Sequence, residues 1–288
     1  LFPSTLMTCM SFIYNTMYQM KYFASYKEFV LVKAKCLSCT GPEHWKDMYP
    51  ECGGERQSPV NVDTEDVVGE EPWPEFQWHH FNTVPKMMTL TNTGHSGNLP
   101  LSLPKTEGRR AKGLTGGDLG AEYTFAQFHF HWGSHDKLGG CEWASELHLV
   151  FYKTEYGSME EALKKSDGVA VFAVFLEHSQ EDNPGLHNVV AGLSSITNPE
   201  DSTTIKPFPL MEILPRSLTE FYRYQGSLTT PGCNQVVTWT VFKRHITVSS
   251  AQMFRSLKFE DGEAMQDNFR PIQPLNDREV RERERERT

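Results

Sequence analysis

Three histidines in the segment from 125 to 151, FAQFHFHWGSHDKLGGCEWASELHLVF, have types and spacing suited to metal chemistry. His129 and His131 form an H-F-H triplet. Because side chains alternate between the two faces of a β-strand, both imidazoles are predicted to project from the same face. The Gly, Ser and Asp residues that follow predict a turn, after which a strand from 142 to 151 returns antiparallel to the first. This hairpin would bring His148 next to the pair.

Three neutral imidazoles on adjoining strands are the ligand set of a catalytic zinc site, which keeps its fourth position open for water. Gln127 and Glu146 each lie two residues before a histidine, so each can face the same side and accept the distal ring N–H. Alternatively, the H-x-H pair binds only local backbone, and Glu146 is a solvated surface residue. The combined pattern favours a zinc site supported by Gln127 and Glu146.

Several motifs in the chain together resemble the α-class carbonic anhydrases. Beside QFHFHWGS and ELHLV in the histidine segment, the matching motifs are GPEHW (41–45), GERQSPVNV (54–62), TNTGH (91–95), SLTTPGC (227–233), VTWTVF (237–242) and NFRPIQPL (268–275). They occur in the family's order and cover roughly residues 40 to 280. The resemblance implies that zinc on His129, His131 and His148 hydrates carbon dioxide reversibly to bicarbonate and a proton, with hydroxide on the zinc as nucleophile.

The same resemblance assigns residues around the zinc. Thr229 would accept a hydrogen bond from the hydroxide and donate one to a carboxylate, for which Glu142 is the candidate. The connection between His131 and His148 is shorter than in the family; if an even number of residues is missing at the hairpin end, side-chain parity is kept and His148 still faces the metal. From the residues alone, a Thr-Thr-Pro unit equally predicts a turn.

Substrate and proton pathways are also implied by the resemblance. Thr230 would contact bicarbonate, and His95 would relay the proton to buffer because the ordinary pKa of histidine lies near that of zinc-bound water; a solvent-exposed turn histidine is the alternative. Asn92 and Asn98 would hold the water chain. The apolar wall for carbon dioxide would consist of Val150, Val171, Leu228, Val237 and Trp239, which periodicity alone would assign to the core.

Composition and cysteine content limit the other possibilities. A formal charge of −9 and a pI near 5.7 argue against nucleic acid as a partner. The longest apolar run, 169–176, is too short to span a bilayer. Members of the resembled family that are secreted or membrane-associated join the positions of Cys52 and Cys233 in a disulfide, which implies an extracellular or secretory location; two buried free thiols are the alternative. We expect a monomer.

The strand and helix patterns predict one mainly β (α+β) domain, with a large, mostly antiparallel, twisted central sheet and few peripheral helices. Strands are expected at 87–93, 169–176 and 236–242, and a helix capped by Ser158 at 158–167. The catalytic domain is predicted to cover 40–277.

Two further segments lie outside the predicted domain. Residues 1–39 read as an atypical, non-homologous extension without a signal peptide, and residues 278–288 as a charged low-complexity tail that is solvated or frayed.

Two rival interpretations follow from the departures from the family. One is a carbonic anhydrase-like binding or structural module with weak or no activity, which the shortened connection and the unusual first 39 residues favour. The other is an unstable product of faulty gene assembly. Retention of all three histidines weighs against the binding module. A product of faulty assembly would show low soluble yield without zinc.

Overall fold

The computed structural model describes residues 41–69, 73–94, 101–102, 112–132, 137–138, 143–253, 257–265 and 268–284. The strands in these ranges are β1 Asn61–Val62, β2 Val68–Gly69, β3 Gln77–His79, β4 Met88–Thr91, β5 Leu101–Ser102, β6 Gly113–Thr115, β7 Tyr123–Trp132, β8 Lys137–Leu138, β9 Ser145–Lys153, β10 Val169–Ser179, β11 Ser202–Ile205, β12 Phe221–Gly226, β13 Val237–Phe242, β14 Ile246–Ser249 and β15 Arg281–Arg283. The α-helices are α1 Trp45–Met48, α2 Met159–Ala162 and α3 His187–Leu193, and the 3-10 helices are Pro42–His44, Pro50–Gly53, Thr154–Tyr156, Pro184–Leu186 and Leu210–Ile213.

A ten-stranded sheet runs in the order β2-β15-β12-β13-β10-β9-β7-β6-β3, with β14 also paired to β10. Its pairings are antiparallel except where β10 meets β13 and β14, and where β15 meets β2. Two small sheets, β11-β4-β5 and β1-β8, lie beside it. The predicted single domain with a large, mainly antiparallel sheet and few helices is confirmed, and the sheet is mixed in detail.

The central strands bury both of their faces, as the alternation of side chains requires. On one face, aromatic and aliphatic residues of β7, β9 and β10 form the larger core, which includes Phe128, Phe130, Leu147, Leu149 and Phe172. On the other face a second core contains Val150, Val171, Ala173, Val237 and Trp239. The unbroken apolar run of β10 is explained by this burial from both sides.

Helix α2 begins where predicted and ends early. The Ser158 hydroxyl accepts a hydrogen bond from the Glu161 N–H at 3.2 Å, which caps the helix. After Ala162 the backbone hydrogen bonds tighten to the i to i+3 pattern, as in Lys165 N–H to the Ala162 carbonyl at 3.0 Å. The helix therefore covers Met159–Ala162 and not the predicted 158–167.

The prediction of a solvated or frayed end was wrong for residues 278–284. Arg281–Arg283 form β15, which pairs with β12. Arg283 is buried, and its guanidinium donates to the carbonyls of Trp73 (2.9 Å) and Thr219. Val280 is buried in the second core. Residues 285–288 and the extension at 1–39 lie outside the described ranges.

A disulfide joins Cys52, in the 3-10 helix Pro50–Gly53, to Cys233, in the loop between β12 and β13. Both cysteines are buried, and the Gln57 side chain donates to the Cys233 carbonyl at 3.2 Å. The pairing that the family resemblance implied is confirmed. No α-helix in the described part of the chain is long and apolar enough to cross a membrane.

Removing this disulfide is expected to lower the free energy of unfolding by about 2–5 kcal/mol, since the bond closes a loop of 181 residues and restricts the unfolded chain. Urea unfolding of a Cys52→Ser, Cys233→Ser double variant measures the loss. Unfolding of the natural chain in excess reductant is the matched control and should give the same midpoint. An unchanged midpoint in the double variant would contradict the prediction.

Candidate metal centre

The three histidines converge on one face of the sheet. In the antiparallel pairing of β7 and β9, His129 lies directly opposite His148. The ring centroid of His131 lies 4.9 Å from that of His129 and 4.7 Å from that of His148. One nitrogen of each ring lies within 4.8 Å of the others, and all three side chains are at least nine-tenths buried. The predicted hairpin thus brings the three imidazoles together.

The register of this hairpin preserves side-chain parity. A β-bulge between Phe125 and Gln127 shifts the pairing, after which Gln127 lies opposite Val150 and the rows continue in step to Trp132 and Ser145. His148 therefore faces His129 although the connection is short. Within that connection, residues 133–136 and 139–142 lie outside the described ranges.

Each histidine makes a hydrogen bond that fixes its tautomer. His129 Nδ1 lies 2.9 Å from Gln127 Oε1, and His148 Nε2 lies 2.7 Å from Glu146 Oε1. His131 Nδ1 lies 3.0 Å from the Asn268 carbonyl oxygen. Because these oxygens accept, the ring nitrogens donate, and in a neutral ring the other nitrogen keeps its lone pair. The nitrogens that remain available to a metal are Nε2 of His129 and His131 and Nδ1 of His148.

Burial keeps the imidazoles of His129 and His131 neutral. Burial, together with the neighbouring His131, holds the pKa of His129 well below its usual range. Burial lowers the pKa of His131 to about 4, although the hydrogen bond to the Asn268 carbonyl offsets part of the shift. A neutral imidazole is the form that binds a metal. At neutral pH both rings are ready to act as ligands.

The Asn268 carbonyl is a site group that sequence reasoning missed, and Arg270 anchors the segment that carries it. Arg270 is only 3% exposed. Its Nη1 donates to Gln57 Oε1 at 2.7 Å and to the Ser58 carbonyl at 2.9 Å, and its Nη2 donates to the Cys52 carbonyl at 3.0 Å. The segment that positions His131 is therefore tied to the disulfide loop. The motif NFRPIQPL was visible in the sequence, but a backbone acceptor has no side-chain signal.

With this geometry established, sequence comparison identifies the family. Residues 40–284 match the sequence model of the eukaryotic-type carbonic anhydrases. The chain belongs to this family. It is 34% identical over 257 residues to carbonic anhydrase 15 of Mus musculus, a match that covers 83% of this chain and 79% of that protein. It is 33% identical over 252 residues to carbonic anhydrase 6 of Mus musculus, covering 83% and 77%.

These matches confirm the resemblance stated from the motifs and place the chain among the carbonate dehydratases. The matched range extends past the predicted domain boundary at 277 and includes β15, which agrees with the pairing of that strand in the sheet.

The wall assigned to carbon dioxide by the carbonic anhydrase resemblance lies on the histidine face. Val171 pairs opposite both Val150 and Trp239, and the Trp239 ring lies 4.9 Å from that of His148. Val237 and Trp239 belong to the same buried cluster, and Leu228 packs against it. The structure therefore groups the five wall residues beside the three histidines. That they contact substrate stays a prediction.

Thr229 lies in the carbonic anhydrase loop that follows β12, and its side chain is 8% exposed. The loop is held at both ends: Leu228 N–H donates to the Asn234 carbonyl at 3.0 Å, and Cys233 N–H donates to the Thr230 carbonyl at 2.9 Å. Trp239 Nε1 donates to the Ser227 carbonyl at 3.1 Å, which fastens the loop to the histidine face. Thr229 and Thr230 thus occupy a fixed turn next to the wall.

Three assigned residues, His95, Asn98 and Glu142, lie outside the described ranges, so the proton relay and the carboxylate partner of Thr229 stay predictions. The assignment of Asn92 to a water chain is corrected. Asn92 is fully buried; its amide donates to the carbonyls of Thr197 and Lys258, both at 3.2 Å, and its Oδ1 accepts from Gly94 N–H at 2.9 Å. Asn92 holds the turn that precedes His95.

Replacing Gln127 by alanine is expected to lower zinc affinity about tenfold, because the His129 ring loses the acceptor that fixes its tautomer and orientation. Competition against a chromogenic chelator measures the change. Gln127→Glu keeps an acceptor at the same position and should bind zinc at least as tightly as the natural chain. Equal losses in both variants would show that the hydrogen bond is not what matters.

Proposed function

We propose that this chain catalyses the reversible hydration of carbon dioxide to bicarbonate and a proton, with zinc held by His129, His131 and His148. The observation that carries the proposal is the set of three ring hydrogen bonds, to Gln127, Glu146 and the Asn268 carbonyl. Together they leave three imidazole lone pairs within 4.8 Å of one another. Membership of the carbonic anhydrase family supports zinc as the metal.

The donor set fits zinc. Three neutral imidazole nitrogens are a common set for a catalytic zinc ion, and the second hydrogen bond of each ring is the usual support for such ligands. When bound, a zinc ion in such a site lowers the pKa of a coordinated water to about 7 and so supplies hydroxide at neutral pH. Glu146 is fully buried beside His148, where its carboxylate raises the basicity of that ring.

The chain's own residues would orient the reactants. The Thr229 hydroxyl can accept one hydrogen bond from the attacking oxygen and donate another to a carboxylate, for which Glu142 remains the candidate. This arrangement turns a lone pair towards the carbon of the substrate. Thr230 would bind the bicarbonate product.

The wall and the proton relay complete the cycle. Carbon dioxide is small and apolar, so the wall of Val150, Val171, Leu228, Val237 and Trp239 can hold it while excluding water. The proton released in each turnover must reach buffer. We assign that transfer to His95, with Asn98 in the water chain, because the ordinary pKa of a histidine side chain lies close to that of zinc-bound water.

Stopped-flow measurement of carbon dioxide hydration, with zinc content determined on the same sample, tests the proposal. We expect rapid hydration at one zinc per chain, loss of activity after treatment with a chelator and recovery when zinc is added. Stoichiometric zinc without hydration would overturn the proposal and favour a carbonic anhydrase-like binding module.

The disulfide supports a location in an oxidising compartment, extracellular or in the secretory pathway. We propose that the chain acts there as a monomer. Size-exclusion chromatography with light scattering tests the oligomeric state, and a dimer mass would contradict it.

A further inference from the structure

A cavity lies on the opposite face of the sheet from the histidines. On β12, Tyr224 shares a cross-strand row with Trp239, which packs on His148. Its neighbour Arg223 therefore projects from the other face. There it lines a cavity of about 560 Å³, together with Trp73, Tyr123 and Asp118. This volume lies in the range of sites for small molecules.

Arg223 is a buried charge with part of its hydrogen-bonding capacity directed at this cavity. The side chain is only 7% exposed. Nε donates to Thr240 Oγ1 at 3.1 Å and Nη2 donates to the Gly117 carbonyl at 3.0 Å. Within the described part of the chain neither bond uses Nη1, and no carboxylate lies within ion-pair distance of the guanidinium. We infer that Nη1 supplies the donor that faces the cavity.

The guanidinium is already held in place, so binding a ligand costs little additional side-chain conformational entropy. Its central carbon lies 5.2 Å from the ring centroids of both Trp73 and Phe221. These contacts and the two hydrogen bonds fix the plane of the guanidinium before binding. A planar carboxylate suits such a fixed group.

Other charged groups at the cavity already have partners. Arg278 donates to the carbonyls of Leu275, Pro274 and Gln225. Asp167 accepts from Lys153 Nζ at 2.6 Å.

Two exposed carboxylates at the cavity, Asp118 and Asp277, differ from these groups. In the described ranges neither carboxylate makes a hydrogen bond or a contact ion pair. Burial lowers the pKa of Arg223, and the charge of Asp118, acting through space, offsets part of that shift. The two remaining charged lining groups pair with each other, since Arg281 Nη2 lies 3.5 Å from Glu279 Oε2. The cavity therefore offers one buried cation and two exposed anions that have no contact partner in the described ranges.

We propose that this cavity binds a small zwitterion, with its carboxylate on Arg223 and its ammonium group between Asp118 and Asp277. A simple anion would accept a hydrogen bond from Arg223 but would be repelled by the two carboxylates. A simple amine would be attracted by the carboxylates but would give the buried guanidinium no acceptor. A molecule that carries both charges satisfies both ends. Free ω-amino acids have this chemistry, and the site is independent of the proposed hydratase function.

A ladder of zwitterions, namely glycine, β-alanine, 4-aminobutyrate and 6-aminohexanoate, tests the proposal, with acetate and ethylammonium as single-charge probes. Binding is followed through the NMR signals of the Arg223 Nε–H and the Trp73 indole N–H, which report on this cavity alone. At least one zwitterion is expected to bind about tenfold more tightly than either single-charge probe. Binding should be unchanged in metal-free protein, which separates this result from the hydratase proposal.

Asp118→Asn is the decisive variant. Asp118 has a φ of 57°, a conformation that asparagine tolerates well, so the substitution removes the charge and keeps the turn. It should weaken zwitterion binding about tenfold and leave acetate binding unchanged or stronger. Arg223→Lys serves as a second variant if it folds, and it should weaken both. Equal binding of acetate and zwitterions, indifference to Asp118→Asn, or no binding by any probe would each overturn the proposal.

Discussion

A His131→Ala variant is expected to lose its zinc and, with it, carbon dioxide hydration down to the rate of the chelator-treated protein. His131 is fully buried, and its ring bonds to the Asn268 carbonyl. The variant keeps two imidazoles, which cannot complete a tetrahedral site with a single open position. The loss of zinc affinity should therefore exceed the tenfold effect expected for Gln127→Ala. Zinc content by mass spectrometry and stopped-flow hydration provide the two measurements.

The control for this result must separate loss of a ligand from loss of the fold. His187→Ala removes an exposed histidine of α3 and should keep zinc and activity. His131→Gln fills more of the buried space than alanine and should also lose zinc while retaining a native circular dichroism spectrum. If His131→Ala kept one zinc per chain, the three histidines would not be the metal site.

The local arrangement of the site was predictable because a strand has a two-residue period. Spacing alone put Gln127 on the face of His129, and Glu146 on the face of His148, and both hydrogen bonds are present. The turn residues after the first strand predicted the antiparallel return. The apolar run at 169–176 indicated a strand buried on both faces, which β10 is.

Longer-range features could not be predicted in this way. The hydrogen-bond partner of His131 is the backbone carbonyl of Asn268, 137 residues away. Every residue has a backbone carbonyl, so the sequence does not mark this one. The buried Arg283 of β15 looks in sequence like its solvated neighbours, because only the distant carbonyls of Trp73 and Thr219 distinguish it. The family resemblance predicted that Asn92 holds a chain of water molecules. Asn92 is instead buried by the loops that carry Thr197 and Lys258, whose carbonyls accept from its side-chain amide.

The family resemblance supplied what local patterns could not. Histidine spacing alone predicts a zinc site without choosing its reaction. The ordered motifs connected that site to the loop of Thr229 and to the disulfide, and the structure places this loop beside the histidine face through the bond from Trp239 to the Ser227 carbonyl. Roles within the loop still depend on experiment.

Thr229→Val is expected to lower kcat/KM for hydration about 100-fold while zinc content stays at one per chain. Valine matches threonine in shape but lacks the hydroxyl, so the attacking oxygen loses its orienting partner. A single preorganised hydrogen bond of this kind is typically worth about 10² to 10³ in rate, or roughly 3–4 kcal/mol. The tight turn from Thr230 to Cys233 uses backbone groups and should survive the change.

Thr229→Ser is the matched variant because it keeps the hydroxyl and loses a methyl group. It should retain most of the activity, within roughly tenfold, since the cost is confined to packing and rotamer freedom. Zinc content and thermal stability measured on all three proteins separate a chemical effect from a structural one. If the Thr229→Val variant were as active as the Thr229→Ser variant, Thr229 would be a turn residue only. Another group on the histidine face would then have to orient the nucleophile.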